Sequence, residues 1–123
     1  MPGAQISITS SKYAEDACKK MGLEENVMEV CKATADNISK LEILTGKKPS
    51  TIAGVALYMI LQRSPKYSAQ FTCVEIAKFL GIGDAAIRNS YREVEDLEND
   101  ILPIGFVQKM IWEFEENEKH KLY

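Results

Sequence analysis

The chain has 123 residues, of which 46% are hydrophobic and 27% charged, as expected for one globular domain with a buried core. No apolar run approaches the roughly 18 residues of a membrane-spanning helix, and the N-terminal residues do not resemble a signal peptide. The three cysteines form no CxxC pair and there is one histidine, so the sequence argues against a zinc site. An odd number of cysteines without a signal peptide predicts reduced thiols in the cytosol or nucleus.

The net charge of −3 is unevenly distributed along the chain. Residues 1–48 are neutral overall, residues 49–92 carry +3 and residues 93–123 carry −6. Because phosphates respond to the charge nearest to them, the acidic total does not exclude a nucleic-acid partner. The acidic run at 93–100 lacks the ligand spacing of a calcium loop and is expected to be a solvated face.

Two helices are predicted before residue 47. The first, in residues 10–22, has apolar residues at helical spacing and is expected to end at Gly22. The second, in residues 24–44, carries a stripe that begins at Val27, and Gly46 is the expected stop. A third helix is predicted from Pro49, since proline suits the first helical position. Its residues 52–61 are apolar on nearly every side, which predicts a central helix followed by a loop at 64–71.

The fourth predicted helix begins at Thr72, which forms a capping-box pattern with Glu75. Val74 is expected to face inward with Ala77 and Leu80. Gly81 is expected to end this helix, and after a turn of residues 81–83 Asp84 is the expected N-cap of a fifth helix. No segment shows the pattern of a strand, so the chain is predicted to be all-α.

Two short helices joined by a three-residue turn predict a helix-turn-helix, in which the second helix can lie in the major groove of DNA. The buried stripe of this helix is expected to be Ile87, Tyr91 and Val94. Small residues at its start would let the backbone approach the bases, and polar residues follow on the outward face. Arg88 could reach guanine, Asn89 adenine and Arg92 a phosphate. The candidate residues of this helix are Ala85, Ala86, Arg88, Asn89 and Arg92. The alternative is an ordinary solvated face, because helix-turn-helix geometry also occurs in plain helical bundles.

Residues 1–100 are predicted to form the folded repeat, and residues 101–123 a C-terminal helical extension with an acidic tail. The apolar side of this extension, which closes the bundle in one alternative, is Val107, Met110, Ile111 and Phe114. In the other alternative the extension docks on a partner protein or on a missing neighbouring repeat through Phe106, Met110, Trp112 and Phe114.

The segments TGKKPSTIAGVALYMILQR and TCVEIAKFLGIGDAAIRNSYREV resemble the second cyclin-like repeat of the transcription factor IIB family. The shared features are a glycine and a basic residue before a proline, a small-residue-rich helix ending in Tyr-Met, an EIA helix and an IRxSYR-like recognition helix. The resemblance covers residues 45–94 and implies a cyclin-like five-helix bundle, in which helices 4 and 5 form the helix-turn-helix, with an additional C-terminal helix.

The resemblance also implies a function. Members of the family bind promoter DNA beside the TATA box, clamp TATA-binding protein on bent DNA and serve the RNA polymerase machinery in the nucleus. By this resemblance Arg88 matches an arginine that reads the upstream recognition element, and Arg92 and Lys47 match DNA-contacting basic residues. Lys48 stands where a capping serine is usual, and Ala85 replaces a base-contacting valine. Beside a helix-turn-helix, Lys47 and Lys48 are expected to contact phosphates, the alternative being ordinary loop charges. The sequence contains neither a zinc ribbon nor a first repeat, so the chain is expected to be a fragment of a longer factor.

No cofactor, catalytic group or membrane partner is expected. The sequence has no glycine-rich phosphate loop, no histidine placed with a nucleophile and no carboxylate pair in an apolar setting. The alternative function is a cyclin-like module that binds a kinase or polymerase subunit and never contacts DNA.

Overall fold

Helices account for the regular structure of residues 9–103, the part of the chain that the computed structural model describes. They are α1 (Ser10–Met21), α2 (Glu25–Lys40), α3 (Pro49–Leu61), α4 (Pro65–Gln70), α5 (Cys73–Leu80), α6 (Asp84–Val94), a 3-10 turn (Glu95–Leu97) and α7 (Glu98–Ile101). Within these residues no strand is formed, which confirms the all-α prediction. The predicted C-terminal helix lies almost entirely outside the described residues.

The central helix of the bundle is α3, as predicted. It begins with Pro49 at its first position, and its residues from Ala53 to Leu61 are buried except for Tyr58. Four helices pack around it, namely α1, α2, α5 and α6. A helix that is apolar on every side requires such surroundings, and the five helices form the cyclin-like bundle.

Gly54 determines how closely α6 approaches α3. A β-carbon at this position would lie 2.7 Å from Ile87 Cγ1, 2.8 Å from Ile87 Cδ1 and 3.2 Å from Leu80 Cδ1. Carbon atoms of packed side chains normally lie about 3.5–4.0 Å apart. Residue 54 therefore has no room for a side chain, and the backbone of α3 supports the helix-turn-helix directly.

The second helix ends earlier than its sequence pattern predicts. It stops at Lys40, and the expected stop Gly46 lies in the following turns with a φ of 89°. Glu42 already has a positive φ of 54°, and the Thr45 hydroxyl donates a 2.6 Å hydrogen bond to the Glu42 carbonyl. This local side-chain bond stabilises a turn instead of a further helical turn.

The predicted loop at 64–71 contains the short helix α4, so the loop assignment was wrong. The Ser64 hydroxyl accepts a hydrogen bond from the backbone N–H of Tyr67 at 3.4 Å, and Pro65 occupies the first helical position. A serine cap followed by proline favours a helix start, and the buried Tyr67 ring anchors it. The helix-turn-helix is consequently built from α5 and α6.

The inward face of α5 also differs from the prediction. Val74 is exposed, whereas Cys73, Ile76 and Ala77 are buried. These positions follow the i, i+3, i+4 spacing of one helical face, and they bury the larger isoleucine instead of the valine.

A polar network fixes the second half of α6. The Gln62 side-chain amide donates to the Tyr91 hydroxyl at 2.7 Å, and that hydroxyl donates to the Glu98 carboxylate. Arg63 Nη2 lies 2.5 Å from Glu98 Oε2. The end of α3 is thereby joined to α6 and α7, so both halves of α6 are fixed to the bundle.

Candidate nucleic-acid interface

The turn between α5 and α6 has the conformation that its glycines predict. Gly81 ends α5 in the left-handed region with a φ of 70°, and the N–H of Ile82 bonds back to the Ala77 carbonyl at 3.0 Å. This is the Schellman arrangement that closes a helix. The Cys73 thiol donates to the Asp84 carbonyl at 3.5 Å, which ties the first turns of the two helices together.

Asp84 is not the N-cap of α6, contrary to the prediction. Gly83 is the cap residue, with φ −81° and ψ 144°, and Asp84 is the first helical residue. In this position the Asp84 carboxylate lies one turn before Arg88 and forms an ion pair with its guanidinium. An i, i+4 pair therefore takes the place of the expected capping bond.

The outward face of α6 carries the residues that its periodicity places there. Ile87, Ser90 and Val94 are buried against the bundle. Four of the predicted contact residues are exposed on the other side, namely Ala85, Arg88, Asn89 and Arg92. Their contact with DNA stays a prediction.

A groove brings the two lysines before α3 beside the start of α6. It has a volume of about 480 Å³ and is lined by Gly46, Lys47, Lys48, Thr51, Gly81, Ile82, Gly83, Ala86, Asn89 and Ser90. We call this the lysine groove. Four predicted site residues line the groove, namely Lys47, Lys48, Ala86 and Asn89. The other three, Ala85, Arg88 and Arg92, lie outside its lining on the exposed face of α6.

Two helix starts border the lysine groove. Lys48 and Gly83 are the N-cap residues of α3 and α6, and Thr51 and Ala86 lie in the first turns of these helices. At neither start does a side chain of residues 9–103 cap the backbone. The positive end of each helix dipole favours an anion such as phosphate, and the two lysines add full positive charges.

Two of the four cationic side chains at this surface form ion pairs with carboxylates. The four are Lys47, Lys48, Arg88 and Arg92. Arg88, whose side chain is 53% exposed, pairs with Asp84, and Lys47 Nζ lies 3.6 Å from Glu93 Oε2. Within residues 9–103 neither Lys48 nor Arg92 forms an ion pair. The i, i+4 spacing could have revealed the first pair, but the sequence carries no signal for the second because its members are far apart.

Within residues 9–103 no group of three or more potential metal-ligating side chains converges. None of the helices in this range is both long and apolar enough to cross a membrane. The three cysteines are free and buried, and the hydrogen bond to Cys18 together with burial raises the pKa of the Cys31 thiol.

Comparison with known proteins assigns the family. Residues 4–97 match the model of the transcription factor TFIIB repeat. The chain belongs to the transcription factor IIB family. This repeat is similar to transcription initiation factor IIB of Xenopus laevis (29% identity over 99 residues) and of Homo sapiens (28% over 99 residues). It is also similar to transcription initiation factor IIB 2 of Thermoplasma acidophilum (29% over 86 residues).

These matches cover most of this chain but a small part of the relatives. The alignments to the frog and human proteins include 80% of this chain and 30% of theirs, and the archaeal alignment includes 70% and 27%. The chain therefore spans about three tenths of the length of the relatives that it matches. Membership in a family of general transcription initiation factors follows for the repeat, and activities of the whole factor do not.

Proposed function

We propose that this repeat binds promoter DNA during transcription initiation, with α6 in the major groove and the lysine groove on the neighbouring phosphates. The observation that carries the proposal is the meeting of Lys47 and Lys48 with the start of α6 in one surface, next to the exposed Arg88 and Arg92. Membership in a family of transcription initiation factors supports the same function.

Some of these residues position the repeat on the duplex, and others read the base sequence. Lys47, Lys48 and Arg92 contact phosphates, which fixes the register of the protein on the duplex. Arg88 donates to a guanine edge and Asn89 to an adenine edge, while the small Ala85 and Ala86 allow α6 to approach the bases. With four cations and two carboxylates at the surface, binding by the repeat is weak and depends strongly on salt.

The proposal extends to the assembly in which the repeat works. The DNA lies beside the TATA box, TATA-binding protein is the protein partner, and the complex serves the RNA polymerase machinery in the nucleus. The repeat acts by binding and performs no catalytic step. The curated relatives, which are named as transcription initiation factors, support this extension.

A titration with promoter duplex, followed by fluorescence anisotropy at low and moderate salt, tests the proposal. Lys48→Ala is compared with Lys20→Ala, since Lys20 is an exposed lysine on α1 outside the lysine groove. We expect Lys48→Ala and Lys47→Ala to weaken binding to all sequences alike and to flatten the salt dependence. Lys20→Ala should leave the affinity and its salt dependence unchanged.

Arg88→Ala tests the base-reading part of the proposal. The substitution should lower affinity and relax the preference for one sequence. Equal loss of affinity on every sequence would remove the base-reading role of Arg88. No binding at any salt concentration would refute DNA binding and favour the interaction module without DNA contact.

A further inference from the structure

We infer that Asp84 is a positioning residue that directs Arg88 to a guanine edge and away from the phosphate backbone. This inference rests on the proposed DNA binding and adds a residue that determines specificity. It follows from the ion pair between the Asp84 carboxylate and the Arg88 guanidinium at the exposed start of α6.

The ion pair has little value for the fold itself. The two side chains are 34% and 53% exposed, and exposed pairs of i, i+4 spacing contribute little to stability. Asp84 makes no capping bond, because Gly83 is the N-cap of α6. The carboxylate also lies in the first turn of α6, where it interacts with the helix dipole, and its ion-pair partner is Arg88.

The pair leaves Arg88 able to bind a base. The contact involves Asp84 Oδ2 and Arg88 Nη2. A guanidinium has five N–H donors in one plane, so one Nη2 hydrogen serves the carboxylate and four donors are left for other partners. Two of them match O6 and N7 of guanine. Because the ion pair already restrains the guanidinium of Arg88, this side chain loses less conformational entropy when it binds DNA.

The same carboxylate disfavours phosphate at Arg88. A phosphate that approaches the paired guanidinium also approaches the negative charge of Asp84, whereas a guanine edge is neutral and offers only acceptors. Glu93 acts differently, because its partner Lys47 belongs to the lysine groove. Removal of the Glu93 charge should strengthen binding to all sequences without altering the preference among them.

The experiment compares two affinities of the full chain. A preferred duplex is first selected with the wild-type protein from a randomised pool, and a duplex of the same composition in scrambled order is the reference. For Asp84→Asn we expect the ratio of the two affinities to fall about fivefold, the low end of the discrimination given by one bidentate arginine–guanine contact. Affinity for the scrambled duplex should rise about twofold, since one repelling charge is removed.

Matched variants separate positioning from other effects. Asp16→Asn removes a carboxylate that pairs with Lys12 at i, i+4 spacing on α1, and it should leave the ratio unchanged. Asp84→Ser, which replaces the carboxylate by a small polar side chain, should reproduce the fall in the affinity ratio and the rise in affinity for the scrambled duplex that are expected for Asp84→Asn. In an Arg88→Ala background, Asp84→Asn should have no further effect on the ratio, because Asp84 acts through Arg88.

The outcomes distinguish this inference from the function on which it rests. An unchanged ratio in both Asp84 variants, or an equal fall in the Arg88→Ala background, would overturn the positioning role while DNA binding stands. If the wild-type protein bound no duplex, the proposed function would fail and the inference with it. Circular dichroism and thermal unfolding of each variant confirm that the comparison is made between folded proteins.

Discussion

Substitution of Gly54 by alanine should destabilise the repeat by pushing α6 away from α3. The new methyl group would lie 2.7 Å from Ile87 Cγ1, and Ile87 is fully buried, so it cannot turn aside into solvent. Overpacking of this kind costs about 1–3 kcal/mol, whereas alanine in place of a helical glycine gains about 1 kcal/mol. We expect a net loss of about 1 kcal/mol of unfolding free energy, or about 4–8 °C in Tm for a domain of this size.

Urea unfolding followed by circular dichroism measures this loss, and Ile87→Val supplies the control. Valine lacks the Cδ1 atom that would lie 2.8 Å from the new methyl group. Ile87→Val alone should cost about 0.5–1.5 kcal/mol. Combined with Gly54→Ala it should cost less than the sum of the two, by about 0.5–1 kcal/mol. A gain of about 1 kcal/mol for Gly54→Ala alone, as in an unconstrained helix, would refute the close contact.

Three further substitutions test the contacts that stabilise the helices. Burial and the hydrogen bond to Glu98 raise the pKa of Tyr91 from 10 to about 12, so its contribution to unfolding free energy is intact below pH 10 and is lost as pH rises through 12. Tyr91→Phe should remove this alkaline loss, and equal slopes in both proteins would contradict the prediction. Hydrogen bonds from lysines of α1 and α2 lower the pKa of Glu15 from 4.5 to about 2. The resulting stabilisation is present above pH 4.5 and is lost as pH falls to 2, so acid unfolding curves should be flatter in Glu15→Gln than in wild type. Thr72→Ala removes the hydroxyl that accepts from the Glu75 N–H, and a urea midpoint should show a loss of about 1 kcal/mol; no shift would mean that the cap is dispensable.

The sequence was sufficient where a structure depends on neighbouring residues in the chain. The burial of α3 followed from its uniform apolar character, and the exposed side of α6 followed from the spacing of Ile87 and Val94. Gly22 and Gly81 end their helices with positive φ angles, as glycine at those positions predicts. Each of these features is fixed by contacts within a few residues or by the period of one helix.

The sequence was insufficient where a structure depends on contacts between distant residues. The pairing of Lys47 with Glu93 and the lysine groove arise because α3 and α6 cross at Gly54, and no local pattern encodes that crossing. The helical state of 65–70 was missed because six residues are too few to show a period. Asp84 was misplaced by one residue because glycine, without any side-chain bond, serves as the cap.

The lysine groove has one wall from residues 46–51 and the other from residues 81–90. A synthetic peptide of residues 72–95 would retain both arginines of α6 yet lack the lysines and the start of α3 that complete the surface. The proposed DNA recognition accordingly depends on cooperative folding of the repeat. A buried substitution at the crossing of α3 and α6 should weaken it without altering any of the proposed contact residues.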